Sequence, residues 1–258
     1  MPYRPHVVAH RGASGVEAEH TLMAYRRAID EGADALECDV RLTADGHLVC
    51  VHDRRVERTS NGRGPVSTLE LADLAALDFG SWKHPSRHLD DEAPDRDPDG
   101  HRVLTLDTLL SMVSDAKRPV WLAIETKHPT RYAGLVERRL VETLSRYDVT
   151  ARVMSFSWLS LRRVRELAPW LQTVFLMDRV PLRFRDGGLP LGCGIAGYSV
   201  ETVREQPDRV RRTKEWGHQI YVYTVNDPAD VDRCLALEVD AIITDHPGRT
   251  RDRVDALP

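Results

Sequence analysis

The sequence is short of the signals that usually announce a partner. Lysine and arginine number 36 against 40 aspartates and glutamates, a formal net charge of −4. With no basic excess, the chain cannot hold a polyanion by counterion release, which excludes DNA or RNA as its main partner. No apolar stretch is long enough to span a bilayer, so stable membrane insertion is not expected. The opening residues Met1-Pro2-Tyr3-Arg4-Pro5 lack the hydrophobic segment of a signal peptide, and the expected compartment is the cytoplasm. The 4 cysteines, Cys38, Cys50, Cys193 and Cys234, form no CxxC pair. They read as small buried hydrophobes in a reducing compartment, not as a disulfide framework or a zinc site. No GxSxG supplies a serine nucleophile, and no HExxH supplies a zinc site.

What is there is an ordinary globular balance. Hydrophobic residues make up 41% and charged residues 29% of 258 positions, enough to fill the core of one large α/β domain. Short β-rich runs alternate with helical stretches from end to end. The runs are Val7 to His10, Ala35 to Val40, Val120 to Glu125, Arg152 to Phe156, Thr173 to Met177, Gly192 to Gly197, Ile220 to Val225 and Ala241 to Thr244. Amphipathic segments lie between them, such as Leu22 to Ile29, stopped by Gly32, and Trp158 to Leu167, stopped by Pro169. This alternation predicts a parallel sheet with crossover helices. Eight strands point to a closed (β/α)8 barrel, with its active site at the C-terminal strand ends. A doubly wound open sheet is the other architecture to weigh. It usually carries a glycine-rich turn after the first strand, and only Gly12 and Gly15 stand there.

Two segments break the alternation. Leu36 to Leu42 and His47 to His52 are both strand-like but too close for a parallel crossover, so they predict an antiparallel hairpin. Asp45-Gly46 is a type I′ turn signal. A two-residue loop would pair Ala44 with His47, Arg41 with Cys50 and Asp39 with His52, placing His52 on the face of Asp39. The second segment, 54–102, reads as an insertion over the barrel mouth of a single domain spanning 1–258. It contains one short helix, with Ser67-Thr68-Leu69-Glu70 as a capping box, then a polar stretch from Lys83 to His101. The histidines there, His84, His88 and His101, read as solvated.

The chemistry gathers at strand ends. Period two puts Glu37 and Asp39 on one face of Leu36-Glu37-Cys38-Asp39-Val40, and Glu125 and Lys127 share a face at another strand end. Carboxylates inside a parallel barrel repel and lose water, so they take up protons or bind a cation. Three inward acids suit a hard divalent ion, Mg2+ or Ca2+. The alternative is a structural ion network with Arg11, Arg41 or Lys127. His10 closes the first strand and His52 closes the hairpin, so both should reach the mouth, where imidazoles suit acid–base work. Either histidine alone could equally be a hydrogen-bonded structural group. Arg11 can hold a phosphate oxygen bidentately and Lys127 acts as a point charge. Together these groups favour phosphoryl transfer over sugar or peptide chemistry.

The series His10-Arg11, Glu37-x-Asp39 and His52-Asp53 resembles the signature of glycerophosphodiester phosphodiesterases. The likeness continues through Glu19-His20-Thr21, Glu125-Thr126-Lys127, Ser155-Phe156, Thr224-Val225-Asn226 and Thr244-Asp245-His246-Pro247. It implies a TIM-type (β/α)8 barrel with a small insertion after the hairpin that follows strand two. It implies one divalent cation, Mg2+ or Ca2+, on Glu37, Asp39 and Glu125, with His10 and His52 as the acid–base pair. It implies phosphate contacts from Arg11 and Lys127, and substrate contacts from Glu19, Phe156, Tyr223 and Asn226. The implied reaction hydrolyses a small glycerophosphodiester to sn-glycerol 3-phosphate and an alcohol, a neighbouring substrate hydroxyl attacking first through a cyclic phosphodiester. A lysophospholipase D on the same chemistry is an alternative, with Leu77, Phe79 and Trp82 as an apolar ramp. A non-catalytic binder of phosphorylated small molecules is another. Two positions depart from the family pattern: His20 stands where asparagine is usual, and Tyr223 where tryptophan is common.

Overall fold

A computed structural model describes residues 3–83, 97–128, 134–190 and 192–256. Nine strands are present among the described residues: β1 (His6–His10), β2 (Ala35–Leu42), β3 (Leu48–Cys50), β4 (Trp121–Thr126), β5 (Ala151–Ser155), β6 (Gln172–Met177), β7 (Ile195–Ser199), β8 (Gln219–Tyr223) and β9 (Ala241–Thr244). All but β3 run parallel and in sequence order, and β1 pairs with both β9 and β2, which closes the barrel. The strands between these seams follow the expected runs to within a few residues. The largest shift is in β7, which starts at Ile195. Gly192 adopts a left-handed turn (φ 82°), and the Cys193 N–H bonds the Pro190 carbonyl at 2.9 Å, so no ladder forms earlier.

The helices are α1 (Leu22–Asp30), α2 (Leu71–Ala75), α3 (Pro98–His101), α4 (Leu106–Ser114), α5 (Leu135–Leu144), α6 (Trp158–Leu167), α7 (Val200–Glu205), α8 (Pro207–Glu215), α9 (Pro228–Ala236) and α10 (Pro247–Asp255). Side-chain caps start several of them: Thr21, Thr105, Ser157, Ser199 and Asp227 each accept a backbone N–H from the first turn. Leu36, Cys38 and Val40 point outward and pack with Leu109, Leu110 and Leu140 in the layer between sheet and helices. Val8, Ala35, Ala123, Met154, Val174, Tyr221 and Ile243 fill the barrel interior. Below them Arg152 lies 4.2 Å over the Trp121 ring and bonds the Tyr221 hydroxyl, which closes the floor. Period two then carries Glu37, Asp39 and Glu125 upward from Ala35 and Ala123 toward the mouth.

The hairpin differs from the expected register by one residue. Leu42 pairs with Leu48, Arg41 with Val49 and Val40 with Cys50. The Thr43 N–H bonds the His47 carbonyl at 2.9 Å, so the loop is Ala44-Asp45-Gly46, with Gly46 left-handed (φ 89°). Asp39 therefore faces Val51, whose N–H reaches the Asp39 carbonyl at 3.0 Å. A one-residue slip would turn the second strand inside out. It does not misplace His52, because β3 ends at Cys50 and the chain then leaves the ladder.

The segment after the hairpin has a small core of its own. Val56, Val66, Leu74 and Phe79 pack against Val49 and Val51, with Leu69, Leu71, Leu77 and Val103 around them. Leu77 and Phe79 are thus consumed by this core and offer no ramp at the mouth. The capping box also lies elsewhere than expected. Val66–Thr68 is a 3-10 turn, and Glu70 with Asp73 caps α2 reciprocally. His101 is held by Asp78 (Nδ1 to Oδ1, 3.0 Å) instead of being simply solvated. His84, His88 and most of the polar stretch lie outside the described residues.

Candidate active site

Three carboxylates meet inside the mouth. Glu37, Asp39 and Glu125 are each buried, and one oxygen from each lies within 4.8 Å of the others. The sheet dictates this meeting, since β2 and β4 set Asp39 beside Glu125 while Glu37 lies two residues back on the same face. Lys127 bridges two of them, its Nζ 2.8 Å from Asp39 and 2.7 Å from Glu125. Arg11 lies beside Asp39 (Nε to Oδ2, 3.1 Å) and gives its backbone N–H to Glu37 Oε2 at 3.0 Å. Arg41 is not in this network; it donates twice to the His52 carbonyl, at 3.0 and 2.7 Å.

Two cations for three buried acids leave an excess of negative charge. Burial and the Asp39 charge push Glu37 well above the usual carboxylate range. Burial and Asp39 push Glu125 up to about 8 despite Lys127. Burial would raise Asp39 as well, but Lys127, His20 and Arg11 hold it far below. An all-oxygen donor set that must otherwise take up protons fits a hard divalent cation, whose ligands sit roughly 2.0–2.6 Å from the ion.

His20 is almost fully buried beneath Asp39. Its Nε2 lies 2.9 Å from Asp39 Oδ2 and its Nδ1 2.8 Å from the Tyr25 hydroxyl, and that hydroxyl also lies 3.0 Å from the Glu37 carbonyl. Burial lowers the imidazole's pKa. His20 and Arg11 are both non-glycine residues in the left-handed region (φ 60° and 58°), a cost that only a surrounding network sustains.

Each expected acid–base histidine is backed by an aspartate. His10 Nδ1 lies 2.7 Å from Asp245 Oδ1, and Asp245 also accepts from Ser14 (2.8 Å) and Asn226 (2.6 Å). Burial would raise Asp245, yet these bonds hold it below the usual range. His52 Nδ1 lies 2.7 Å from Asp53 Oδ1. Burial, Arg11 and Lys127 bring His52 down to about 4, against the pull of Asp39 and Asp53. The Val51 N–H bonds the Asp39 carbonyl at 3.0 Å and Arg41 bonds the His52 carbonyl at 2.7 Å, which tethers His52 to the end of β2 that carries Asp39.

The outer residues divide. Phe156 and Tyr223 meet edge to face across the mouth, centroids 5.9 Å apart, and Phe156 is 42% exposed. Tyr223 donates to Asp178 at 3.2 Å. Glu19 is held between Arg11 (3.1 Å) and Arg58 (2.7 Å), and Asn226 supports Asp245. Sequence reasoning assigned no role to Asp245, Ser14 or Arg58. Asp245 stands in a recognisable motif, but nothing local links it to His10, 235 positions away.

The barrel and its mouth define a class: a (β/α)8 hydrolase with buried acids and carboxylate-backed histidines at the strand ends. The chain belongs to the glycerophosphoryl diester phosphodiesterase family, whose sequence profile matches residues 10–249. It is 44% identical over 256 residues to the probable glycerophosphodiester phosphodiesterase 1 of Mycobacterium tuberculosis, covering 96% of this chain and 91% of that protein. It is 32% identical over 256 residues to the glycerophosphodiester phosphodiesterase of Bacillus subtilis, covering 95% and 85%. A phosphodiesterase from Oleispira antarctica, solved in complex with the product sn-glycerol-3-phosphate, superimposes with a TM-score of 0.80 at 25% identity, covering 98% of both chains. A glycerophosphoryl diester phosphodiesterase structure from Silicibacter pomeroyi gives a TM-score of 0.84 at 26% identity, covering 99% and 94%. The chain is therefore a glycerophosphodiester phosphodiesterase. Among the described residues no helix is long and apolar enough to cross a membrane.

Proposed function

We propose that the enzyme hydrolyses small glycerophosphodiesters to sn-glycerol 3-phosphate and an alcohol, with His10 and His52 as its acid–base pair. One divalent cation, Mg2+ or Ca2+, would be held by Glu37, Asp39 and Glu125. The observation that carries this is the pair of aspartate-backed imidazoles at one mouth with the three acids. When bound, the cation supplies Lewis acidity at the phosphoryl oxygen and acidifies the attacking hydroxyl.

The protein groups do the rest. With its Nδ1–H turned to Asp53, the neutral His52 ring keeps Nε2 free to take the proton of the attacking substrate hydroxyl. His10, its ring oriented by Asp245, gives a proton to the departing alcohol oxygen. The phosphorus–oxygen bond to the alcohol breaks as the cyclic phosphodiester forms, and water then opens the ring with the two roles reversed. Arg11 and Lys127 contact the phosphate oxygens, and Phe156 and Tyr223 line the approach. Glu19 and Asn226 reach toward the substrate and also hold Arg11 and Asp245 in place.

We take 1–258 as one domain with 54–102 as an insertion at its mouth. The four buried unpaired cysteines support a reducing compartment such as the cytoplasm. The test is release of glycerol 3-phosphate from glycerophosphocholine, with lysophosphatidylcholine alongside. His10→Ala and His52→Ala should each lose roughly 10²- to 10⁴-fold in kcat with the fold retained. Wild-type turnover in either variant removes that residue from the pair. Faster cleavage of the lysolipid would move the substrate class to lysophospholipids.

A further inference from the structure

Arg58 belongs to the insertion, yet its guanidinium reaches back into the active site. Its Nη1 and Nη2 donate to the two oxygens of Glu19, both at 2.7 Å, and its Nε donates to Asp53 Oδ2 at 2.6 Å. Every nitrogen of the fork is used. Beyond Asp53 lies His52, bonded at 2.7 Å, and beyond Glu19 lies Arg11, bonded at 3.1 Å. One side chain thus ends two chains of contacts, one to an imidazole and one to a phosphate-directed guanidinium.

Its backbone is pinned for this task. Val56 is buried in the insertion core, Thr59 is 5% exposed, and Ser60 Oγ returns to the Val56 carbonyl at 2.9 Å. Stability alone does not account for the arrangement. The side chains of Arg58 and Asp53 are 43% and 32% exposed, so that arm contributes little to folding, whereas the bidentate arm to Glu19, 10% exposed, does stabilise. What the fork supplies is direction: two carboxylates from different loops are held by one planar guanidinium, which a lysine ammonium cannot do.

We infer that Arg58 is a positioning residue that sets the His52 ring and the Arg11 guanidinium together and couples the insertion to catalysis. This rests on the reading of His52 as an acid–base residue. The test compares wild type, Arg58→Ala, Arg58→Lys and His52→Ala on glycerophosphocholine under saturating Mg2+. Imidazole nitrogen NMR reports the His52 tautomer. Arg58→Ala should lose roughly tenfold to a hundredfold in kcat, the cost of a small misplacement of a reacting group, while KM moves much less. Its His52 signal should pass from one tautomer to an averaged one. Methylguanidinium at millimolar concentration should restore part of the kcat of Arg58→Ala and none of that of His52→Ala. Arg58→Lys should stay impaired, and it carries the test should the alanine variant not fold. Turnover within twofold of wild type in either Arg58 variant, or an unchanged tautomer, overturns the inference. An active His52→Ala would instead overturn the assignment on which it rests.

Discussion

At the scale of single residues, the site is governed by what each polar group must do once buried. His20 is the clearest case. Where the family pattern has asparagine, this chain places an imidazole long enough to touch both Asp39 and Tyr25, at 2.9 and 2.8 Å. Groups behind a metal-binding carboxylate typically set affinity by tenfold to a hundredfold. His20→Leu should therefore weaken Mg2+ or Ca2+ binding by roughly that factor, measured by calorimetry, because Asp39 loses a donor. His20→Asn should retain most of the affinity, since an amide still donates to Asp39 while losing Tyr25. Equal losses in both variants would mean that the Tyr25 contact, not the Asp39 one, is what counts.

At the scale of elements, the β2–β3 hairpin is what brings His52 to the mouth that already holds His10. The hairpin turns on Gly46, whose φ of 89° costs a side chain roughly 1–2 kcal/mol. A Cβ there would meet nothing closer than 4.0 Å, so the penalty of Gly46→Ala is backbone strain alone. Urea unfolding should show a loss of about 1 kcal/mol with unchanged kcat. A loss several times larger would mean that the turn, not the ladder, holds the insertion in place. The mispredicted register has the same origin. Asp45-Gly46 marks a turn without stating whether two or three residues form it, and the Thr43–His47 bond settles that only once both strands are in place.

At the scale of the whole molecule, acids gathered where they could hold a cation also burden the fold that carries them. The Glu125 carboxyl has a folded-state value of about 8 against an ordinary 4.5. An acid raised on folding stabilises the folded state below the unfolded value, and that contribution is lost as pH rises through the folded one. Glu37 acts in the same direction, whereas His52 and His20, both lowered from 6.5 on folding, oppose it up to that pH, so the window in which the acids act alone is 6.5 to about 8. In excess chelator, Tm should fall as pH rises across that window. Saturating Mg2+ should flatten the trend, because the cation takes the place of the protons. Glu125→Gln should flatten it without metal. Scanning calorimetry decides it, and a Tm in chelator that rises with pH would refute the account.

The sequence by itself determined the barrel, the meeting of the three acids and the placing of His10 and His52 at or just past strand ends. Strand alternation, period two in Glu37-Cys38-Asp39 and the exits at His10 and His52 are local patterns, and local patterns are written in neighbouring residues. What only the tertiary structure decided is who stands behind those groups. Asp245 reaches His10 because β9 closes on β1, and Arg58 reaches Asp53 and Glu19 because an insertion core folds it back. His20 reaches Asp39 because the loop after β1 takes a left-handed step. Contacts between groups far apart along a chain leave no period or spacing to read; they exist only when the barrel has closed.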